Sequence, residues 1–265
     1  MPAVRLNGIN VYYERSGNGR RLLFCNGSGA TLASSQLLID VFRSRFDVIA
    51  HDQRGLGRTD VPAGPFTMAE YASDALALLD AVGWDTCRVV GVSFGGMVAQ
   101  ELAVAAPERV ERLGLVCTSP GGPDLASYPL HELADRSEPE RAAIAVRLLD
   151  SRFDPEWLES HPNDRALAKA MAARNAGSKS DEQRRGEREQ LLARSHHDVC
   201  DRLGSISCPT LVAGGKYDGI APPANSEAIA SRVPNAELRL YEGGHAFFAQ
   251  DARALPEILD FLDEE

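Results

Sequence analysis

A glycine-flanked serine between an apolar run and a stretch of small residues limits the fold of this chain most strongly. Residues 89–92 read Val-Val-Gly-Val, Ser93 follows, and Phe-Gly-Gly-Met-Val-Ala opens a helical pattern. A strand that turns sharply into a helix at G-x-S-x-G lifts the serine hydroxyl above the sheet edge. The motif alone would also fit a glycine-rich turn in another parallel-sheet protein. In this setting it predicts an α/β sheet with Ser93 as nucleophile.

Two later segments supply the partners that a serine nucleophile needs. Asp218 follows an apolar run that ends in two glycines, and His245 follows an alternating run and Gly243-Gly244. Both therefore fall at the carboxyl edge of a predicted strand, where open α/β sheets place their sites. A serine hydroxyl needs a general base, and that base needs an orienting carboxylate. We predict that His245 is the base and Asp218 the carboxylate.

Other residues could in principle fill these roles. In some relatives of the fold the acid follows the strand after the serine helix, and the nearest carboxylate there is Asp124. Glu242 is close to His245 in sequence but is interpreted as loop surface. Of the six histidines, only His245 follows a late strand through a Gly-Gly turn; the others are His51, His131, His161, His196 and His197.

These segments together resemble the α/β-hydrolase fold family, in its branch of single-chain esterases, lactonases and cofactor-free haloperoxidases. The resemblance covers nearly the whole chain and implies a mostly parallel eight-stranded sheet with flanking helices and an inserted helical cap. It also implies that residues 52–59 form a packing loop. The residues that carry it are 26–29 (Asn-Gly-Ser-Gly), 52–59 (Asp-Gln-Arg-Gly-Leu-Gly-Arg-Thr), 91–96, Asp218 and 243–245.

The family resemblance also implies an oxyanion hole. A tetrahedral oxyanion needs preorganised N–H donors, and in this fold one comes from the residue after the nucleophile, here Phe94. By position the second donor is the amide of Ser28. The family often has His-Gly before this residue, whereas this chain has Asn26-Gly27. Lactonases that act on oxoadipate enol-lactone also tend to carry Asn or Ser there.

Charge and composition exclude several classes of partner. The net charge is −10, from 38 acidic and 28 basic residues, which argues against nucleic acid and anionic membranes. No apolar run approaches the ~20 residues of a membrane span, and residues 1–6 lack a secretory signal pattern. We therefore expect a cytoplasmic protein that acts on a small molecule; the sequence leaves its oligomeric state open.

The five cysteines are not spaced as a disulfide framework or a zinc site. Cys25 and Cys117 should end the strands that flank the nucleophile strand, about 10 Å apart and beyond the ~7 Å reach of a disulfide. No metal cluster, phosphate loop or dinucleotide fingerprint is visible. We expect free thiols, no metal and no cofactor.

The sequence divides into a core and an insertion. Residues 1–119 and 196–265 alternate strand and helix patterns, beginning with a hairpin around Asn7-Gly8. Between 120 and 195 the strand patterns stop, and amphipathic helices are predicted at 141–149, 166–174 and 182–193. Because this insertion follows a strand at its carboxyl edge, it should form a helical cap over Ser93. The charged run 181–189 is interpreted as solvated helix surface.

The cap should also shape the substrate pocket. Most of its apolar side chains should pack the cap on itself. Some should face the cleft and make a largely apolar wall, because the cap's underside should cover Phe94 and Phe247. The side chains concerned are Leu130, Leu133, Leu148, Phe153, Trp157, Leu167 and Met171.

The chemistry predicted is hydrolysis of a carboxylic ester or lactone of a small apolar substrate through an acyl-enzyme. Dehalogenases and epoxide hydrolases of this fold have aspartate where Ser93 stands, and hydrolases of ring-fission products usually read Gly-Asn-Ser, whereas Val92 precedes the serine here. Carbon–carbon bond hydrolysis or perhydrolysis by the same triad stays an alternative. So does a small-molecule binding protein that reuses the fold without turnover.

Overall fold

The structure, a computed structural model, describes residues 3–174 and 179–265 of the chain. These residues form eight strands and nine α-helices. The strands are β1 (Ala3–Leu6), β2 (Ile9–Gly17), β3 (Arg20–Cys25), β4 (Phe46–His51), β5 (Cys87–Val92), β6 (Val110–Val116), β7 (Thr210–Gly215) and β8 (Ala236–Tyr241). The helices are α1 (Leu32–Arg43), α2 (Met68–Ala81), α3 (Phe94–Ala105), α4 (Glu138–Leu149), α5 (Pro155–Ser160), α6 (Pro162–Arg174), α7 (Asp181–Ser195), α8 (Pro223–Arg232) and α9 (Ala254–Asp263).

The eight strands form one sheet in the order β1-β2-β4-β3-β5-β6-β7-β8. β2 pairs antiparallel with both β1 and β4, and every later neighbour pairs in parallel. The predicted fold class is therefore confirmed. Because β5 lies between β3 and β6, the turn that carries Ser93 lies in the middle of the carboxyl edge. Cys25 ends β3, as predicted, and Cys117 directly follows the end of β6.

The sheet is covered by helices on both faces. Side chains of α2, α3 and α8, including Tyr71, Leu102 and Ile229, pack on one face. Side chains of α1 and α9, including Phe42 and Phe261, pack on the other. Parallel strands buried on both faces read as continuous apolar runs rather than as alternating patterns, which explains the character of β5 and β7.

The helix starts agree with the predicted ones where the cap was identified and differ where it was overlooked. α2 begins at Met68, as predicted, after the capping box of Thr67 and Glu70. α4 begins at Glu138, about one turn before the predicted residue 141, because Ser137 and Glu140 form a second capping box. α5 was not predicted, although Asp154 caps it by accepting a hydrogen bond from the Trp157 amide at 2.8 Å.

The loop that follows β4 is held by its own side chains, as its interpretation as a packing loop requires. The Asp52 carboxylate accepts hydrogen bonds from the amides of Leu32 at 2.7 Å and Arg58 at 2.9 Å. The guanidinium of Arg54 donates two hydrogen bonds to Asp74, at 2.7 and 3.0 Å. The loop therefore joins β4 to the first turn of α1 and to α2.

The thiols lie mostly inside this core. All five cysteines are free, and four are buried; Cys200 is half-buried. Burial raises the pKa of Cys25 and Cys87 to about 12, so these two thiols are protonated and unreactive at neutral pH. Across the described ranges no helix combines the length and apolar character needed to cross a bilayer.

His51 makes stability depend on pH. Burial lowers the pKa of His51 from 6.5 to about 4, so the unfolded chain binds this proton at pH values where the folded protein does not. We expect the free energy of unfolding to fall by about 3 kcal/mol, from this residue alone, as the pH falls from about 6.5 to about 4. Below that range both states are protonated and the contribution stays constant. Urea unfolding at both ends of the range measures it.

The matched control is His51→Gln, which cannot titrate. Carboxylates contribute equally to both proteins, so the difference between their pH dependences isolates His51. If wild type and variant lose the same stability between the two pH values, the burial effect is absent.

Candidate active site

Ser93 lies in a strained turn between β5 and α3. Its backbone φ is 56°, in the left-handed region that non-glycine residues rarely adopt and that is often found at active sites. The flanking glycines are required by close approach. A Cβ at Gly91 would lie 2.2 Å from the carbonyl oxygen of Gly95, and a Cβ at Gly95 would lie 2.0 Å from that of Cys25. The motif therefore has the strand-turn-helix geometry that the sequence predicted.

The structure brings together the three residues predicted to form a triad. The Ser93 Oγ lies 2.9 Å from Nε2 of His245, and Nδ1 of His245 lies 2.8 Å from Oδ2 of Asp218. Because the carboxylate only accepts, Nδ1–H donates to it, and Nε2 is left to accept the serine proton. The Asp218 side chain is buried, whereas the His245 side chain is 13% exposed. This arrangement is suited to deprotonating a serine that a substrate can reach.

Neighbouring loops fix the acid and the histidine. The other oxygen of Asp218 accepts hydrogen bonds from the amides of Ile220 at 2.8 Å and Ala221 at 2.9 Å. The amide of His245 donates to the carbonyl of Leu149, the last residue of α4, at 2.6 Å. Helix α4 thus braces the histidine loop. Asp124, the alternative acid, is exposed to solvent.

The predicted oxyanion donors also lie beside Ser93. Phe94 is the first residue of α3, so its amide has no partner within the helix. The loop that contains Ser28 runs past the nucleophile, since a Cβ at Gly27 would lie 3.6 Å from the Cβ of Ser93. The loop that contains Ser28 and the first turn of α3 therefore both lie next to the nucleophile.

Sequence reasoning missed Gln190 of α7. This side chain is buried, and its Oε1 accepts a hydrogen bond from the amide of Gly29 at 2.7 Å. Its Nε2 lies 3.4 Å from Oε1 of Gln53, whose own Nε2 donates to the carbonyl of Asn26 at 2.7 Å. A chain of hydrogen bonds therefore ties α7 to both ends of the loop 26–29. No local signal distinguishes this glutamine from the charged surface residues before it.

Replacing Gln190 with leucine should disturb this loop. We expect kcat to fall by about tenfold to a hundredfold, with KM little changed, because a small displacement of an oxyanion donor weakens transition-state binding more than substrate binding. Steady-state kinetics and thermal unfolding measure the two effects. Arg188→Met is the matched control, since Arg188 lies on the same helix and is exposed. An unchanged kcat in the Gln190 variant would contradict the role.

A cavity of about 260 Å³ opens beside the loop 26–29. Its lining mixes polar and apolar groups and includes an ion pair between Lys179 and Glu187, 2.7 Å apart. Met171 is the one apolar cap side chain named from the sequence that lines this cavity, among the described residues. The others that line it are Ser28, Gly29, Thr31, Ser34, Gly55, Leu56, Gly57, Lys179, Gln183 and Glu187.

Apolar side chains of the insertion pack largely on one another, which is the use expected for most of them. Phe153, Trp157 and Leu167 pack with one another and against Ala246 and Phe248. These side chains are thus removed from water within the insertion and against the histidine loop. That burial is favourable even where the side chains do not line a cleft.

The two phenylalanines predicted to lie under the cap are placed differently. The Phe94 ring packs edge-on against Tyr71 in the core, with centroids 4.9 Å apart. The Phe247 ring stacks on Tyr241 at 5.1 Å. Both side chains are completely buried below the edge of the sheet, and the cap cluster meets Phe248 instead.

Comparisons with known proteins agree with this geometry. The family model for the alpha/beta hydrolase fold matches residues 20–252. A protein of Azorhizobium caulinodans named as a carbamate hydrolase is 30% identical over 263 residues, covering 98% of this chain and 97% of its own. A 3-oxoadipate enol-lactonase of Acinetobacter baylyi is 26% identical over 240 residues, covering 89% and 86%.

Solved structures show the same fold. The crystal structure of the enol-lactonase from Burkholderia xenovorans LB400 superposes with a TM-score of 0.82 at 22% identity, over 99% of this chain and 100% of that one. In the part of this chain that the structure describes, no group of three or more histidine, cysteine or carboxylate side chains is arranged to hold a metal ion.

Proposed function

This chain belongs to the α/β-hydrolase fold family of enzymes, and from that premise we propose that it hydrolyses a carboxylic ester or lactone through an acyl-enzyme on Ser93. The hydrogen-bonded line from Ser93 through His245 to Asp218, with distances of 2.9 and 2.8 Å, is the observation that carries the proposal. A binding protein without turnover has no need of a buried carboxylate, an oriented imidazole and a serine held in a strained turn.

The reaction proceeds in two steps. His245 takes the proton of Ser93 as the hydroxyl attacks the carbonyl carbon, and the amides of Ser28 and Phe94 stabilise the oxyanion. The imidazolium then gives its proton to the leaving alkoxide, and Asp218 stabilises the transient positive charge. A water molecule, deprotonated by His245, attacks the acyl-enzyme in the same way and releases the acid.

We also propose that residues 120–195 act as a cap on a core formed by residues 1–119 and 196–265. Helices α4–α7 all lie between β6 and β7. Two of them contact the site, because the end of α4 accepts the His245 amide hydrogen and Gln190 of α7 accepts that of Gly29. Such a cap excludes water and selects substrates.

The cavity beside Ser28 presents polar groups, including the ion pair of Lys179 with Glu187, beside apolar ones, and accommodates a small substrate that carries both. The 26% identical enol-lactonase supports a lactone or ester carbonyl. A carbamate is the second candidate substrate class, favoured by the 30% identical relative named as a carbamate hydrolase. The same nucleophile and oxyanion donors serve either carbonyl.

A panel of p-nitrophenyl esters, lactones and carbamates tests the proposal. We expect turnover of at least one ester or lactone, together with a covalent adduct on Ser93 after treatment with an organophosphate, detected by peptide mass spectrometry. Turnover confined to carbon–carbon substrates or to peracid formation would favour the alternative chemistries. No turnover and no adduct would leave a binding protein as the explanation.

A further inference from the structure

A second cavity, separate from the one beside Ser28, contains the buried guanidinium of Arg194. Its volume is about 70 Å³, and its lining includes Met97, Ser127, His131 and His197. The Arg194 residue is only 5% exposed. A charged group that has lost its hydration at such a place is unfavourable unless an anion or hydrogen-bond acceptors compensate it.

The compensation within the chain is incomplete. Nη1 of Arg194 donates to the carbonyl of Tyr128 at 2.7 Å. Nε and Nη2 are buried, and among the described residues no acceptor lies within hydrogen-bonding distance of either atom. No carboxylate of those residues lies within ion-pair distance of the guanidinium. Two N–H donors of a side chain that lines the cavity are therefore buried without a partner.

These two atoms form the edge of a guanidinium that binds a carboxylate with two parallel hydrogen bonds. The chain itself uses this edge elsewhere. Nε and Nη2 of Arg54 donate to Asp74 at 2.7 and 3.0 Å, and those of Arg152 donate to Asp150 at 2.9 and 2.6 Å. In Arg194 the same edge has no carboxylate or other acceptor among the described residues.

Two histidines with unpartnered ring nitrogens also line the cavity, and each such nitrogen donates a hydrogen bond in one tautomer. Nδ1 of His131 and Nε2 of His197 are buried and make no hydrogen bond within the described chain. Nδ1 of His197 lies 3.6 Å from Glu101, which is already held by two hydrogen bonds of 2.9 Å from Arg202. Burial lowers the pKa of Arg194 to about 10, against the opposing effect of the Asp218 charge, so the guanidinium stays charged at neutral pH.

The cavity lies close to the loop that carries Asp218, although no residue of the triad lines it. The amide of Tyr128 donates to the carbonyl of Ile220 at 2.8 Å, and the Ile220 amide donates to Asp218. Met97 lies one helical turn after Ser93 in α3, about 6 Å along its axis. A group bound by Arg194 therefore lies next to the loop that carries the catalytic acid.

We propose that this cavity binds a small carboxylate through Nε and Nη2 of Arg194. The carboxylate is either a free organic acid or an acidic group of the substrate, since both present the same two oxygens. The binding itself does not depend on the proposed ester hydrolysis.

Binding is tested with acetate and with acetamide, its neutral counterpart of similar shape, at constant ionic strength. We expect acetate, but not acetamide, to raise the melting temperature of the wild type and to give a binding isotherm in calorimetry. Arg194→Met should weaken acetate binding by about tenfold or more, as expected for the loss of two charge-assisted hydrogen bonds. Arg188→Met, on the same helix but exposed, should bind acetate as the wild type does.

A second variant covers the case in which Arg194→Met does not fold. Arg194→Lys keeps the charge but lacks the two parallel donors, and it should also bind acetate more weakly than the wild type. Equal effects of acetate and acetamide, no effect of either, or unchanged acetate binding in the Arg194 variants would overturn the proposal.

Kinetics with monomethyl and dimethyl succinate distinguish the two sources of the carboxylate. If it belongs to the substrate, Arg194→Met raises KM for the monomethyl ester far more than for the dimethyl ester, and acetate competes with the former. If it is a free acid, the variant changes both esters alike while still losing acetate binding. Acetate binding without hydrolysis of any ester would overturn the proposed function and leave this site supported.

Discussion

Replacing Ser93 with alanine is expected to lower the turnover of an ester by about 10⁶-fold, because removal of a triad nucleophile abolishes the covalent route. The hydroxyl makes no packing contribution that alanine cannot replace, and the backbone strain at φ 56° is the same in both proteins. The melting temperature should therefore stay close to that of the wild type. Initial rates with an activated ester, together with thermal unfolding, measure both quantities.

The matched control for this variant is Ser35→Ala on α1, which removes a serine hydroxyl away from the site and should leave the rate unchanged. Residual activity of the Ser93 variant within a few-fold of the wild type would show that another group attacks the substrate. The organophosphate adduct should be lost in the same variant.

Replacing Asp218 with asparagine should lower kcat by about 10⁴-fold. In the wild type, one carboxylate oxygen accepts the amide hydrogens of Ile220 and Ala221 and the other accepts Nδ1–H of His245. Asparagine can keep the first contact with its oxygen, but then its NH₂ group faces Nδ1. The imidazole is driven to the tautomer with the proton on Nε2, which cannot accept the proton of Ser93. Steady-state kinetics at neutral pH measure the loss.

Asp124→Asn is the control for this substitution, since it makes the same chemical change at the alternative acid, which is exposed. We expect its kcat to match that of the wild type. The opposite result, with Asp124→Asn inactive and Asp218→Asn active, would transfer the role of the acid to residue 124.

Short-range sequence motifs, with the family that they resemble, were sufficient to predict the class of sheet and the order of the predicted triad residues along the chain. The G-x-S-x-G turn, the Gly-Gly endings before Asp218 and His245, and the capping box of Thr67 are decided by residues only a few positions apart. Such signals act through backbone sterics and short hydrogen bonds, so they can be read without knowing the rest of the fold. The helix starts that were missed, such as the one after Ser137, also carry a local signal.

The residues that line the cavities could not be predicted from such short-range signals. The apolar side chains of residues 120–195 can be buried against one another or against a cleft with equal hydrophobic gain, and the sequence pattern is the same in both cases. The packing of Phe153 and Trp157 against Ala246 was decided by how the insertion docks on the histidine loop.

The sequence, through its local motifs and the family that they resemble, determined the fold class, the three residues of the predicted triad and their position at the carboxyl edge of the sheet, because turn chemistry is encoded by neighbouring residues. Only the tertiary structure decided which residues of α7 face the site. Gln190 meets Gly29 across 161 positions of sequence, and Arg194 reaches the cavity beside the Asp218 loop one helical turn later. The rotation of a helix about its axis is fixed by the sum of its packing contacts, and a polar side chain on a charged helix carries no local mark of the face it will occupy.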